Sequence, residues 1–435
     1  MPSRQRYLSV SESLSASSAW HVVASLTVDG IIEPTILSRA LTILAAQYPL
    51  LRGQIIRDDT GFLLRIIEDQ FPTLTVHHGV EGASGDVLLA EINTPLQLDR
   101  QVVRTALSHD GTNSTIMLVI DHSVTDGRLL ATLLHKLLDN YTTLAVGNTP
   151  PPTPPDDLPP SLDTMLAGQF SDEEIATFIT QTVALTEQSP PARLPTLTAA
   201  RENTTPSGTA VRNITFTTQA TTEILTTAKK NGLSAHGLIS GAILAALRAQ
   251  LEPATEPLTL AVTCSVDLRH RLIPPVAPDA QLCCGGIVTV FVTTPHPADP
   301  LALGGQITTQ LHTAIDHGEP KKFILARCRL NAPLMLPTSV GIANLGRLAT
   351  PPTPPGIQVT ANRVLGPAPR SAPSIVVSTT DGRLTLDLIY NRSVLTDQQM
   401  TNLANGIKST LGSCHSEYRS LASGFCVTSG AEAIT

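Results

Sequence analysis

Aromatic side chains make up only 3% of the 435 residues, with a single Trp, and charged residues only 15%. The Lys and Arg residues are scattered, and the formal net charge of -7 contains no basic block. Without basic stripes or stacking platforms, nucleic acid is not expected as a partner. Long apolar runs are also missing. The longest, Gly237 to Leu247, is too short to span a bilayer and reads as a buried core helix, so no transmembrane segment is expected. The N-terminal MPSRQRYLSVSESL has basic residues but no apolar region ahead of a small-residue cleavage site, which points to a cytoplasmic chain. Six cysteines (Cys264, Cys283, Cys284, Cys328, Cys414 and Cys426) match neither a zinc knuckle nor a C-x-x-C redox pair, and are expected to be reduced and mostly buried. A G-x-S-x-G elbow, a P-loop and a dinucleotide-binding Gly fingerprint are all lacking, which disfavours serine-hydrolase and nucleotide chemistry. No second metal ligand stands at helical spacing from His122, so no metal is expected.

What is present is enough apolar residue, 42%, for a sizeable core. A chain this long exceeds what one core usually organises, so two α/β lobes are expected. Apolar residues at Ile36, Leu37, Ala40, Leu41 and Leu44 recur at helical spacing over 33–48. A hairpin should follow, 53–57 and 62–67 around Asp58-Asp59-Thr60-Gly61. The run STIMLVI at 114–120 reads as a buried strand, and Leu129, Leu130, Leu133, Leu134, Leu137 and Leu138 as the inward stripe of a helix over 128–141. Pro-rich 147–160 cannot continue a helix and reads as surface linker. Ser171 and Glu174 have the residue types of a capping box opening a helix over 171–187. A second Pro- and Thr-rich stretch marks the expected division: an N-terminal lobe at 1–189, a linker at 190–208 and a C-terminal lobe at 209–435. The second half repeats the mixture, with helices at 221–231, 234–251, 301–317 and 396–411 and strands at 211–216, 258–266, 286–292, 339–344, 374–378 and 384–390.

The strongest chemical signal is His122-Ser123-Val124-Thr125-Asp126-Gly127, an imidazole directly after a buried strand and just before a helix. A His there is a candidate general base, because its ordinary pKa lies near neutrality. Asp126 is placed to hold the turn by ion pair or hydrogen bonds, and Gly127 permits a tight turn or close backbone approach. The competing reading is a structural His satisfied at a strand end.

HSVTDG resembles the HHxxxDG signature shared by chloramphenicol acetyltransferase, peptide-synthetase condensation domains and plant BAHD acyltransferases. Asp121 stands where the first His of that signature would be, and His122 matches the second, which is the base in that superfamily. Leu8-Ser9-Val10-Ser11-Glu12 and Tyr48-Pro49-Leu50-Leu51-Arg52 resemble two further segments of the superfamily. Ser265-Val266-Asp267-Leu268-Arg269, followed by Leu272-Ile273-Pro274-Pro275-Val276-Ala277-Pro278, closely resembles the phthiocerol/phthiodiolone dimycocerosyl transferases, a polyketide-associated acyltransferase family. Ile342-Ala343-Asn344-Leu345-Gly346 and Asp381-Gly382-Arg383-Leu384 extend the likeness in order along the chain.

The resemblance implies an α/β (α+β) fold of two chloramphenicol-acetyltransferase-like lobes with an active-site channel between them. It also implies acyl transfer from a thioester, the phosphopantetheine of an acyl carrier protein or CoA, with no bound cofactor. His122 would act as base without a covalent acyl-enzyme. Asp126 and Gly127 would support it, with Arg269, ahead of Arg52 and Arg271, pairing with Asp126. Ser265 and Asn344 are the candidates for contacting the oxyanion or substrate. The expected partners are an acyl carrier protein or polyketide synthase and a small-molecule or lipid acceptor. Two other readings stay open: an amide-forming or cyclising condensation enzyme using the same His, and a catalytically silent carrier-protein-binding member, for which Asp121 is the pointer.

Overall fold

A computed structural model describes residues 4–78, 84–151, 158–197, 208–253, 255–330, 334, 336–367 and 371–423. Its strands fall into three sheets. The N-terminal sheet has the order β12-β2-β7-β6-β5, from β2 (His21–Asp29), β5 (Leu74–His78), β6 (Val103–His109), β7 (Asn113–Asp121) and β12 (Gln358–Leu365). The C-terminal sheet has the order β10-β9-β11-β13-β14-β8, from β8 (Thr209–Thr215), β9 (Leu258–Asp267), β10 (Gly285–Thr294), β11 (Val340–Arg347), β13 (Ser374–Thr380) and β14 (Arg383–Asn391). The expected hairpin is present as β3 (Gly53–Arg57) paired with β4 (Phe62–Ile66), and β1 (Gln5–Tyr7) completes that small sheet.

Eleven helices are described: α1 (Val10–Ser17), α2 (Pro34–Gln47), α3 (Ser84–Asn93), α4 (Gly127–Ala145), α5 (Leu162–Leu166), α6 (Asp172–Gln188), α7 (Thr218–Lys230), α8 (Ala235–Arg248), α9 (Pro300–Asp316), α10 (Glu319–Leu330) and α11 (Asp397–Ser423). Helix α5 is short, because the chain turns to extended backbone at Ala167. Helix α6 opens on the capping box of Ser171 and Glu174. In α4 the six leucines expected to face inward are all buried, each contributing about 1.5–3 kcal/mol relative to exposure. They pack against α2 and β2. No described helix is long and apolar enough to cross a membrane.

The two large sheets have separate hydrophobic cores, yet the lobes exchange chain. After β11 the chain crosses to add β12 to the edge of the N-terminal sheet beside β2, then returns as β13 beside β11. Val359, Val364 and Leu365 of β12 therefore belong to the N-terminal core. Residues 209–435 do not all stay in the second lobe, and of the linker at 190–208 only 190–197 and 208 are described. The thiols depart from expectation in part: Cys264 and Cys284 are buried, but Cys283 and Cys328 are only half-buried, and the side chains of Cys414 and Cys426 lie outside the described residues.

Within the C-terminal lobe, α8 and α9 touch backbone to backbone. A Cβ at Gly241 would stand 2.0 Å from the Pro300 carbonyl oxygen, and one at Gly304 2.7 Å from the Gly237 oxygen. Gly241→Ala is expected to force the helices apart and cost about 3 kcal/mol, the upper end of ordinary overpacking, read as a lower denaturant midpoint. An unchanged midpoint would mean that the crossing yields freely.

Candidate active site

His122 follows the last residue of β7. Its backbone N–H donates to the Trp20 carbonyl at 2.8 Å, while Asp121 N–H donates to the Val102 carbonyl at 3.0 Å, so the neighbouring chain pins the turn on both sides. The His122 Nδ1 lies 2.8 Å from the Thr125 carbonyl oxygen. A carbonyl only accepts, so Nδ1 carries the proton and, in the neutral ring, Nε2 keeps its lone pair. Cys283 Sγ stands 4.0 Å from the same Nδ1. Burial works against charge on this imidazole, but the Cys283 sulfur, the Thr125 carbonyl and the Asp126 carboxylate outweigh it and raise its pKa to about 9.

Asp126 joins the lobes with one carboxylate. Its Oδ1 accepts from the N–H groups of Arg128 and Leu129, both at 3.0 Å, and so caps α4. Its Oδ2 accepts from Arg269 Nη2 and from the Cys284 backbone N–H, both at 2.8 Å, from the other lobe. Arg269 is 2% exposed and Asp126 7%. Arg269 also reaches Asp267 Oδ1 at 3.1 Å and the Leu282 carbonyl at 3.2 Å. Despite burial, these carboxylates hold the guanidinium above its ordinary pKa. A second contact between lobes, Arg128 Nε to Asp267 Oδ2 at 3.4 Å, is more exposed.

Gly127 meets its requirement through close approach. A Cβ there would lie 3.2 Å from Leu345 Cδ2 on β11 and 3.3 Å from Val364 Cγ1 on β12. The crossing strand thus covers the first residue of α4. Asp121 is buried, and its Oδ1 accepts from the Ser123 N–H at 2.9 Å and from the Ser123 hydroxyl. Burial raises its carboxyl above the usual range against those hydrogen bonds. It closes the turn from beneath and faces His21 across the β2–β7 pair.

Ser265 is exposed on β9. Asn344 Oδ1 accepts from Gly346 N–H at 2.9 Å inside a bulge of β11, leaving only its amide nitrogen free of that turn. Arg52 donates to the Glu68 carbonyl at 2.7 Å and Arg271 is exposed, so neither approaches Asp126. Motif reading missed Cys283, the Cys284 N–H and the Leu282 carbonyl. Nothing local in Gln-Leu-Cys-Cys-Gly-Gly says that it lies against a His 161 positions earlier.

A family model described as the condensation domain matches residues 1–249. Another, described as the phthiocerol/phthiodiolone dimycocerosyl transferase C-terminus, matches 205–389. The phthiocerol/phthiodiolone dimycocerosyl transferase of Mycobacterium sp. (strain JLS) is 24% identical over 363 residues, 81% of this chain and 84% of that protein. The protein of that name from Mycobacterium tuberculosis (strain ATCC 25618 / H37Rv) is 24% identical over 367 residues, with the same coverage. Among solved structures, polyketide synthase associated protein 5 from Mycobacterium tuberculosis has a TM-score of 0.74 at 20% identity, covering 95% of this chain and 98% of that one. The first condensation domain of the CDA synthetase has a TM-score of 0.73 at 17% identity, covering 95% and 97%. These two likenesses show the fold, two lobes of the condensation type. Because the condensation-domain match alone spans more than half of the 435 residues, and the transferase match continues it, the chain belongs to the condensation-domain family of acyltransferases.

Proposed function

We propose that this chain moves an acyl group from a carrier-protein or CoA thioester to a hydroxyl, or an amine, of a secondary metabolite or lipid. The reaction would take place in the cytoplasm, between a lobe drawn mainly from 1–189 and one drawn mainly from 209–435. His122 is the general base, and the observation that carries this role is the Nδ1 contact to the Thr125 carbonyl, which leaves Nε2 as the basic nitrogen. Nε2 takes the acceptor's proton as its oxygen attacks the thioester carbonyl, and the imidazolium returns that proton to the departing thiolate. Holding both substrates at one nitrogen makes the attack effectively unimolecular, and no acyl-enzyme is required. Asp126, Gly127 and Arg269 fix the turn that presents the ring. For the oxyanion, the free Asn344 amide and the Ser265 hydroxyl are the candidate donors.

The names of the relatives favour a lipid or polyketide hydroxyl over an amine, since the mycobacterial proteins are named as dimycocerosyl transferases of phthiocerol. The test is mass analysis of acyl-loaded carrier proteins and acyl-CoA incubated with the enzyme and with candidate alcohols and amines. The expected result is loss of the acyl mass from the thioester and its gain by an alcohol, with the enzyme's mass unchanged. A persistent acyl mass on the enzyme would overturn direct transfer. Gain by amines alone would establish amide formation, and no gain by any acceptor would favour a silent binding protein.

A further inference from the structure

Cys283 belongs to the C-terminal lobe yet stands against the imidazole of the N-terminal motif, and its placement is fixed on both flanks by hydrogen bonds that cross between lobes. Upstream, Gln281 Oε1 accepts from the Leu50 backbone N–H and Asp279 Oδ2 from the Tyr48 hydroxyl, both at 2.8 Å. Downstream, the Cys284 N–H donates to Asp126 Oδ2 and the Cys284 carbonyl accepts from Leu268 N–H at 2.9 Å. The backbone that carries Cys283 is therefore tethered on both sides, which keeps its side chain within reach of the imidazole. Half-buried, it lies 4.0 Å from Nδ1, on the ring edge that also faces the Thr125 carbonyl.

We propose that Cys283 is a positioning residue for acyl transfer: its sulfur is the second acceptor for the His122 Nδ1–H and, with the Thr125 carbonyl, holds the ring so that Nε2 faces the substrates. Sulfur reaches a shared N–H at a distance where oxygen does not, so the larger atom suits a contact that the Thr125 carbonyl already partly occupies. The arrangement favours a positive ring, in line with the raised pKa of His122. Other charges face the same place. From the N-terminal lobe they are Asp126 and Asp121, the latter beside His21. From the C-terminal lobe, Arg269 acts through Asp126, and Arg327 on α10 lies near Cys283. Of these groups only Cys283 touches Nδ1 directly from the second lobe.

The inference rests on reading His122 as the base, so its test has an arm that needs no turnover. In Cys283→Ala, NMR titration of the His122 imidazole is expected to move its midpoint down by about one pH unit or more, because burial, which disfavours the cation, is then less opposed. The rising limb of the kcat/KM–pH profile should move down with it, and the plateau should fall as the ring loses one of its two holds. Cys283→Ser, which keeps a small polar side chain, is read in parallel and guards against an alanine variant that fails to fold. It should keep the Nδ1-protonated tautomer while its midpoint also falls. An imidazole midpoint unchanged in both variants would overturn the proposal. An NMR shift without any shift of the rate profile would leave the contact in place and instead overturn His122 as the base.

Discussion

His122→Ala is expected to lower the rate of acyl transfer by about a thousandfold, within the range for losing a general base and equivalent to about 4 kcal/mol of transition-state stabilisation. The protein should remain folded. The side chain's described contacts are one hydrogen bond to Thr125 and the approach of Cys283, while the main chain of the turn is held independently through Trp20 and Val102. One lost hydrogen bond costs about 1 kcal/mol, small beside the catalytic loss. The effect should fall on kcat rather than KM, because the imidazole acts on a proton in flight and not on the bound ground state. The wild-type profile adds a second signature. With the pKa of His122 near 9, the basic form is a minority at neutral pH, and kcat/KM should climb about tenfold per unit between pH 7 and 8 before levelling. His122→Ala should flatten that climb. Full turnover in the variant would exclude His122 as the base, whereas a wild-type rate independent of pH over this interval would place the pKa of the base below 7.

The turn was legible from sequence because both its flanks have strong signals: five consecutive apolar residues, Ile116 to Ile120, enter it and a leucine stripe leaves it. The clamp was legible only in part. Arg269 emerged from the resemblance of its surrounding segment, whereas the Cys284 N–H and Leu282 carbonyl that complete the clamp are backbone groups with no residue-type signature. Some frame elements also escaped pattern reading. In β6, Thr105 and Ser108 are buried polar residues that blur the apolar alternation a strand reader relies on. In α10, EPKKFILARCRL, four cations mask the short apolar face of Phe323, Ile324 and Ala326. Strand β12 is the instructive case. Its sequence QVTANRVL is plausible as a strand, but its partner β2 lies more than 300 positions earlier, and local pattern has no means of choosing between an edge in its own lobe and one across the molecule. That choice matters for the site, since β12 supplies Val364 against Gly127.

Asp126→Ala carries the largest expected cost in stability, about 3–5 kcal/mol, with loss of most activity because the loop bearing Cys283 and Cys284 is freed from the motif. Two effects combine. Removing the Oδ1 acceptor uncaps α4, worth about 1 kcal/mol, and removing Oδ2 leaves Arg269 buried with only Asp267 and the Leu282 carbonyl. Asp126→Asn separates them. Asn caps about as well as Asp, so what the Asn variant loses reports the charge, and the further loss in the Ala variant reports mainly the cap. The sharper measurement is the cycle with Arg269→Met. Stranding a buried cation is costly, whereas replacing both partners by apolar groups of similar volume is often neutral. The double variant Asp126→Ala with Arg269→Met should therefore unfold at a higher denaturant concentration than Asp126→Ala alone, while remaining inactive. If the two single costs simply added, the pair would not be coupled, and the lobes would be joined at this point by the Cys284 N–H alone.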